Sequence, residues 1–489
     1  MAHIPADVLK KRPSIRGLRR KHRGKVRDSY FLPGFPDFML VVVSDRCSVY
    51  DFVLNILVPM KGVILNAMSI FWATHVLKGV ETDLVAYGAA IDQYLPKHLH
   101  GNVDLQMRAT VVRILPAPDV EAIVRGYLFG SGLKSYNQTG KVCGQRLPTG
   151  LRKAEKLPRD FFTPTNKAIV GHDQDIDAQS VVAKYGQELE QKSLETFAQA
   201  SQYASERGII IADTKTEWAI DPATGRLILV DEKFTPDSSR FWPIDGHDKA
   251  VESGKDPVSF DKQPLRDCMV RIKNLDPSNP KHLARVDAMR VPEFAANETT
   301  QRYRYIFWRL TGMKIERFLR EVMDVKVADK RPNIQVIIGS RSDLPQCKAG
   351  LDYLSEHADG NLNVASCHRN AKRLRSFLKK LSPDTSHLLC AAGNSAQLPG
   401  VSLSWLCEFK LAHIPLIGIG LKGKTPRNDL EAVTAIEGLP GRPVVLNSQR
   451  EAYFGPEGFL AACKAAVNDE FFPMKFDPKP AEFGLSFKQ

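Results

Sequence analysis

No stretch of this 489-residue chain approaches the roughly 18 to 20 consecutive apolar residues needed to span a bilayer. The longest apolar runs, residues 38–43 and 414–421, have the length of buried strands. The amino-terminal MAHIPADVLKKRP has neither an apolar core nor a small-residue cleavage site, so no secretory signal and no membrane partner are expected. Cysteine is scattered over eight positions, 47, 143, 268, 347, 367, 390, 407 and 463, with no C-x-x-C pair. That spacing excludes a zinc ribbon or a disulfide framework and implies reduced thiols, hence a cytoplasmic protein. A Walker A loop, internal repeats and low-complexity tracts are also lacking. What remains is 43% hydrophobic and 25% charged, the composition of a globular protein. At about 150 residues per domain the chain should hold two to four domains.

The formal charge of +13 is concentrated at one end. Residues 1–27 carry ten Lys and Arg against a single acid, Asp7, which leaves a nearly neutral remainder. Such a segment suits nucleic acid, a membrane surface, a phosphorylated substrate or a solvated arm. Nucleic-acid binding by stacking would call for interleaved aromatics, and residues 10–27 contain none, so no nucleic-acid partner is expected.

Periodicity predicts strands at 38–44 and 106–114, a long functional loop over 134–167 and a helix over 180–207. Strands at 208–213 and 226–231 should flank an Asp-Pro-Ala-Thr-Gly turn, and 299–323 reads as one amphipathic helix. Residues 325–332 are polar and proline-ended, a linker. Beyond them strands (333–339, 361–365, 386–392, 414–421) alternate with helices (344–357, 371–381). Regular alternation means a parallel sheet covered on both faces. The expected architecture is a two-lobed α+β domain over 1–324 and an α/β doubly wound domain over 333–475, with a tail at 476–489.

Four segments of the first domain concentrate phosphate and metal chemistry. Gly24-Lys25-Val26-Arg27-Asp28 sets a glycine beside two cations, which suits a polyphosphate or two surface charges. Arg125-Gly126-Tyr127-Leu128-Phe129-Gly130-Ser131-Gly132 surrounds an arginine and a serine with glycines; the guanidinium fork fits a phosphate monoester and glycine lets backbone N–H groups approach. In Asp213-Thr214-Lys215-Thr216-Glu217, residues 213, 215 and 217 share one strand face. The run 230–240 repeats the theme with Asp231, Glu232 and Arg240. Mg²⁺ takes one or two carboxylates plus substrate phosphates, and Glu217 with Asp231 would supply them.

These segments, with SDRCSVYDFVL, FTPTNKAIVGHDQDI and FDKQPLRD (260–267), resemble the SAICAR synthetase family over most of residues 16–323. The resemblance implies ATP-dependent joining of CAIR (carboxyaminoimidazole ribonucleotide) to L-aspartate, giving SAICAR, ADP and phosphate through an acyl phosphate, with Mg²⁺. It implies Lys25 and Arg27 beside the ATP phosphates, and Arg125, Ser131 and Arg240 on the ribonucleotide phosphate. Asp213 and Lys215 would lie near the reacting carboxylate, and Asp45, Arg46 and Ser48 would help form the substrate cleft. Trp218, Lys233 and Phe234 depart from the family pattern.

In the second domain Gly339-Ser340-Arg341-Ser342-Asp343, Ser366-Cys367-His368-Arg369 and residues 391–400 follow successive strands. Ligands of open α/β sheets bind at that edge, and a helix start there suits phosphate. The loops resemble the AIR (aminoimidazole ribonucleotide) carboxylase family, which makes CAIR. The resemblance implies Ser340, Ser342, Asp343 and Arg369 at the substrate, His368 as general acid/base and homo-oligomer assembly through this domain. Asn394, Ser395 and Gln397 depart from the family's glycine, alanine and histidine, which leaves open a domain that only assembles or binds a nucleotide.

Overall fold

A computed structural model describes residues 3–5, 8, 15–166, 175–327, 331–382, 385–394, 396–409, 411, 414–439, 444–447 and 451–468. The chain divides into two compact units, Met1–Ala328 and Asp329–Gln489. The expected tail at 476–489 lies outside the described residues.

The first unit is built on two antiparallel sheets. One has the strand order Arg20–Arg23, Arg27–Leu32, Phe35–Val43, Ala109–Arg113, Leu84–Tyr87. Along Arg27–Leu32 burial alternates: Asp28, Tyr30 and Leu32 face a core with Leu40, Val42 and Leu105, while Arg27 and Ser29 face the other way. The other sheet is centred on the twelve-residue strand Ile209–Ile220. Val120–Tyr127 pairs along one side of it; Leu227–Val230 and Ser239–Pro243 pair with its two halves on the other. The hairpin joining Ile220 to Leu227 spans the Asp-Pro-Ala-Thr-Gly turn read in the sequence.

Three expectations are corrected. The strand expected at 106–114 is only Ala109–Arg113, because Asn102 caps a short helix, Val103–Arg108, by accepting the Leu105 N–H at 3.1 Å. The loop expected at 134–167 contains a helix, Gly130–Thr139, a small hairpin and a strand, Lys156–Phe162, that pairs with Val120–Tyr127. The helix expected at 299–323 is two, Glu293–Thr311 and Ile315–Glu321, separated at Gly312 with φ 70°.

The second unit is a five-stranded parallel sheet in the order Leu362–Val364, Ile334–Ile338, His387–Ala392, Leu416–Gly420, Tyr453–Phe454. Each face has its own core. Cys347, Leu354, Phe459 and Cys463, from helices Leu344–His357 and Gly455–Asn468, cover one; Leu374, Leu378, Leu406 and Ile436, from Ala371–Lys379, Leu398–Glu408 and Pro426–Glu437, cover the other. This is the doubly wound α/β arrangement, and its order reverses between the first and third strands. Among the described residues no helix is long and apolar enough to cross a membrane.

Candidate active site

The strand Ile209–Ile220 carries the site of the first unit. Asp213, Lys215 and Glu217 alternate along it, so Asp213 and Glu217 stand about 13 Å apart on one face.

At the Asp213 end, register sets Arg125 directly opposite Asp213 on the neighbouring strand. Its Nη1 donates to Asp213 at 2.7 Å, its Nη2 to Ser131 Oγ at 2.9 Å and its Nε to Thr163 Oγ1 at 3.1 Å. Arg240, on the strand across the other side, donates to the same Asp213 oxygen. Glycine makes room for both: a Cβ at Gly130 would sit 2.8 Å from Arg240, and one at Gly132 3.1 Å from Arg125. The structure thus brings Arg125, Ser131, Asp213 and Arg240 together, with Thr163 as a member the sequence did not announce. Asp213 is engaged by both guanidiniums, which it orients.

A buried layer supports this end. Asp237 accepts from Lys61 at 2.6 Å and from the Tyr303 hydroxyl at 2.6 Å, with Lys262 at 3.7 Å. Burial alone would raise Asp237, but Lys262 and Lys61 hold it far below the usual carboxylate range. Arg266 pairs with Asp261, and both act electrostatically on Arg240. Among the described residues, Arg125, Arg240, Lys61, Lys262 and Arg266 form ion pairs with Asp213, Asp237 and Asp261. Such a concentration of fixed cations suits an anionic ligand. FDKQPLRD hinted at Asp261, Lys262 and Arg266; nothing near Lys61 or Tyr303 did.

At the Glu217 end, Glu217 pairs with Val230, so Asp231 follows directly alongside. Arg27, on the face of the first sheet opposite Asp28, reaches across to Asp231 at 3.3 Å and Glu232 at 2.5 Å. Burial opposes its charge, but those two carboxylates hold Arg27 well above the ordinary guanidinium value. Lys25 pairs with Asp51 at 2.6 Å. Lys215, between the two ends, donates to Glu121 at 2.5 Å and lies 3.8 Å from Glu217. Burial would lower it, yet Glu121 and Glu217 raise it, which favours the ammonium form.

Arg46 is buried, donating to Asp28 at 2.6 Å and to the carbonyls of Lys25 at 3.0 Å and Gly24 at 3.1 Å. Asp28 faces the core and Arg27 the opposite side, so Arg46 braces the Gly24–Lys25 turn from behind, and with Asp45 it lines a cavity of about 450 Å³. Asp45 likewise accepts the Gly62 N–H at 2.8 Å and Arg108 at 3.2 Å, and Ser48 lies opposite Val53 in a hairpin.

Among the described residues no three His, Cys, Asp or Glu side chains are grouped to hold a metal alone. Glu217 and Asp231 both act electrostatically on the Lys215 ammonium, and their hard oxygens are the donor type of an ion completed by phosphate oxygens.

In the second unit the three loops meet the expected edge. Ser340 and Asp343 form a reciprocal cap: Asp343 accepts the Ser340 N–H at 2.9 Å, and Ser340 Oγ accepts the Ser342 N–H at 3.4 Å. His368 and Arg369 are exposed, their N–H groups donating to Ser366 Oγ at 3.3 and 3.2 Å. Burial raises the Asp343 carboxyl, opposed by the Ser340 N–H and by Arg369. Gln397 starts the helix after the third strand; Ser395 lies outside the described residues.

Two antiparallel sheets are joined by an arginine, with an arginine cluster at one end of a strand and carboxylates at the other, an arrangement that suits an enzyme acting on anionic substrates. Comparison supplies the particular family. The family model for SAICAR synthetase matches residues 20–281, and that for AIR carboxylase matches residues 333–467. A phosphoribosylaminoimidazole-succinocarboxamide synthase of Cupriavidus metallidurans is 40% identical over 311 residues, covering 62% of this chain and 97% of its own. One from Rhodococcus jostii is 45% identical over 260 residues, covering 52% of this chain and 83% of its own. A solved structure, the SAICAR synthase of Saccharomyces cerevisiae complexed with SAICAR, is 34% identical with a TM-score of 0.53, covering 62% of this chain and 98% of that one. The chain belongs to the SAICAR synthetase family.

Proposed function

We propose that the first unit joins CAIR to L-aspartate with ATP, giving SAICAR, ADP and phosphate in de novo purine synthesis. The observation that carries this reading is the shared strand, with an arginine cluster at Asp213 and carboxylates at Glu217 and Asp231. A carboxylate is a poor electrophile, so the CAIR carboxylate oxygen first attacks the terminal phosphorus of ATP, and ADP leaves. The aspartate amine then attacks the acyl carbon; the C–O bond to phosphate breaks, and the amine gives up a proton. Such transfers depend mainly on positioning and charge neutralisation. Arg125, Ser131 and Arg240 hold the ribonucleotide phosphate, oriented by Asp213. Lys25 and Arg27 attend the triphosphate, and Lys215 meets the charge that develops between the two ends. Glu217 and Asp231 would hold Mg²⁺, which supplies charge neutralisation at the phosphates when bound.

For the second unit we propose carboxylation of AIR, or carboxyl transfer, yielding CAIR for the first. Supporting it are the Ser340–Asp343 cap and exposed His368 and Arg369 on one sheet edge. Glutamine does not titrate, which leaves His368 to carry the proton. Assembly of copies through this unit, and residence in the cytoplasm, belong to the same reading.

The test is aspartate-dependent ADP release with CAIR. Glu217→Gln and Asp231→Asn should lower it by roughly a hundredfold or more while circular dichroism stays native. Wild-type turnover in either variant would remove the metal assignment, and no ADP from the native protein would remove the function.

A further inference from the structure

We infer that Lys233 and Asp83 are a positioning pair that fixes the orientation of Asp231; the inference rests on the metal-holding role proposed for that carboxylate. Lys233 is 3% exposed and Asp83 4%, so both charges are buried. The Lys233 ammonium donates to Asp83 Oδ1 at 2.7 Å and to the Asp231 carbonyl oxygen at 2.8 Å. The Lys233 backbone N–H donates to Ser69 Oγ at 3.2 Å, so the main chain beside the turn is held as well.

Asp231 needs such support. Its φ is 57°, in the left-handed region that residues with a Cβ seldom occupy. Such a conformation persists where its surroundings over-determine it. Two fixed cations do so here: Lys233 grips the carbonyl and Arg27 meets the carboxylate at 3.3 Å. Asp83 in turn is tied to both sheets. Its N–H donates to Leu229 O at 3.2 Å in the second sheet, and its carbonyl accepts the Arg113 N–H at 2.9 Å in the first. Leu229 also donates to Glu81 O at 2.9 Å. The Asp231 turn is therefore referenced to the same segment that enters the strand Leu84–Tyr87.

A buried ion pair is a poor source of stability, since two apolar side chains of similar volume often do as well or better. Its use here is orientation. Groups that orient a metal ligand from behind typically change metal affinity by about 10- to 100-fold when removed.

The experiment replaces the pair by apolar residues, Asp83→Leu with Lys233→Leu, which strands no charge. Binding of Mn²⁺, a spectroscopic substitute for Mg²⁺, is measured by electron paramagnetic resonance with ADP present, beside metal-free ADP binding and thermal melting. The expected result is a melting midpoint close to wild type, unchanged metal-free ADP affinity and about tenfold weaker Mn²⁺ binding. Lys233→Arg, which keeps the charge but displaces the donor, serves if the double variant does not fold; it too should bind Mn²⁺ more weakly. Wild-type Mn²⁺ affinity in a folded variant overturns the pair's role. Failure of the native protein to release ADP with CAIR and aspartate overturns the ligase reading instead, and the Mn²⁺ titration still reports on the pair.

Discussion

At Asp237 two lysines and a tyrosine converge on one buried carboxylate. Asp237→Asn would leave Lys61 and Lys262 as buried cations with no full counter-charge. Breaking a buried pair in this way costs about 3–5 kcal/mol, readable as a lower urea midpoint. The pH dependence follows from the sign of the shift. The folded state holds Asp237 below the unfolded value, so its stabilisation is present above about pH 4 and is lost as pH falls toward the depressed folded value. The native protein should therefore lose stability on acidification below pH 4 more steeply than Asp237→Asn does, and parallel slopes would contradict the assignment. Residue types in short motifs announced Arg125, Ser131, Asp213, Glu217, Asp231 and Arg240. Nothing in a linear pattern announced that Arg46 turns inward, because its direction depends on a one-residue alternation against Asp28. Lys61 escaped for a related reason: an almost wholly buried helix, Lys61–Phe71, offers no polar stripe to mark a functional cation.

Among elements, those with two covered faces were the most legible. The helix Leu344–His357 has the residues expected for it, and the parallel strands differ by one or two residues from the apolar runs. Where the sequence misled, a local signal had been outweighed: the cap at Asn102 within an alternating stretch, and glycine at 312 within a helical one. Gly186, with φ 91°, divides the expected 180–207 helix in the same way, into Ala178–Tyr185 and Gln187–Ser205. Glycine also sets a packing distance in the second unit. A Cβ at Gly350 would lie 2.5 Å from Phe459 and 2.8 Å from Cys463, so the helices Leu344–His357 and Gly455–Asn468 meet where there is no side chain. Gly350→Val should push them apart at about 1–3 kcal/mol, the usual cost of overpacking. Calorimetry would show it as a lower transition for that unit, and an unchanged transition would mean the helices can slide.

The whole molecule joins a unit that uses CAIR, on the proposed reading, to one that would make it. That pairing is testable without separating them. With AIR and bicarbonate, or with the N-carboxylated isomer, the native protein should form CAIR, and His368→Asn should abolish this while leaving aspartate-dependent ADP release intact. Absence of CAIR from both substrates would leave the second unit a binding or assembly role. The division between units falls at Ala328, within the polar stretch 325–332, yet Val325 is buried and bonded to Leu319, so the first unit extends to it.

Arg27 and Asp231 are each other's counter-ion across two sheets, and each is also proposed for a ligand of opposite sign. A free polyphosphate that draws Arg27 away leaves two carboxylates, Asp231 and Glu232, without that cation; a free metal ion that claims Asp231 leaves Arg27 to Glu232 alone. A magnesium–triphosphate complex brings both signs at once and exchanges partners with the pair, leaving no bare charge behind. On the proposed reading the cross-sheet contact would favour the preassembled complex over either component alone.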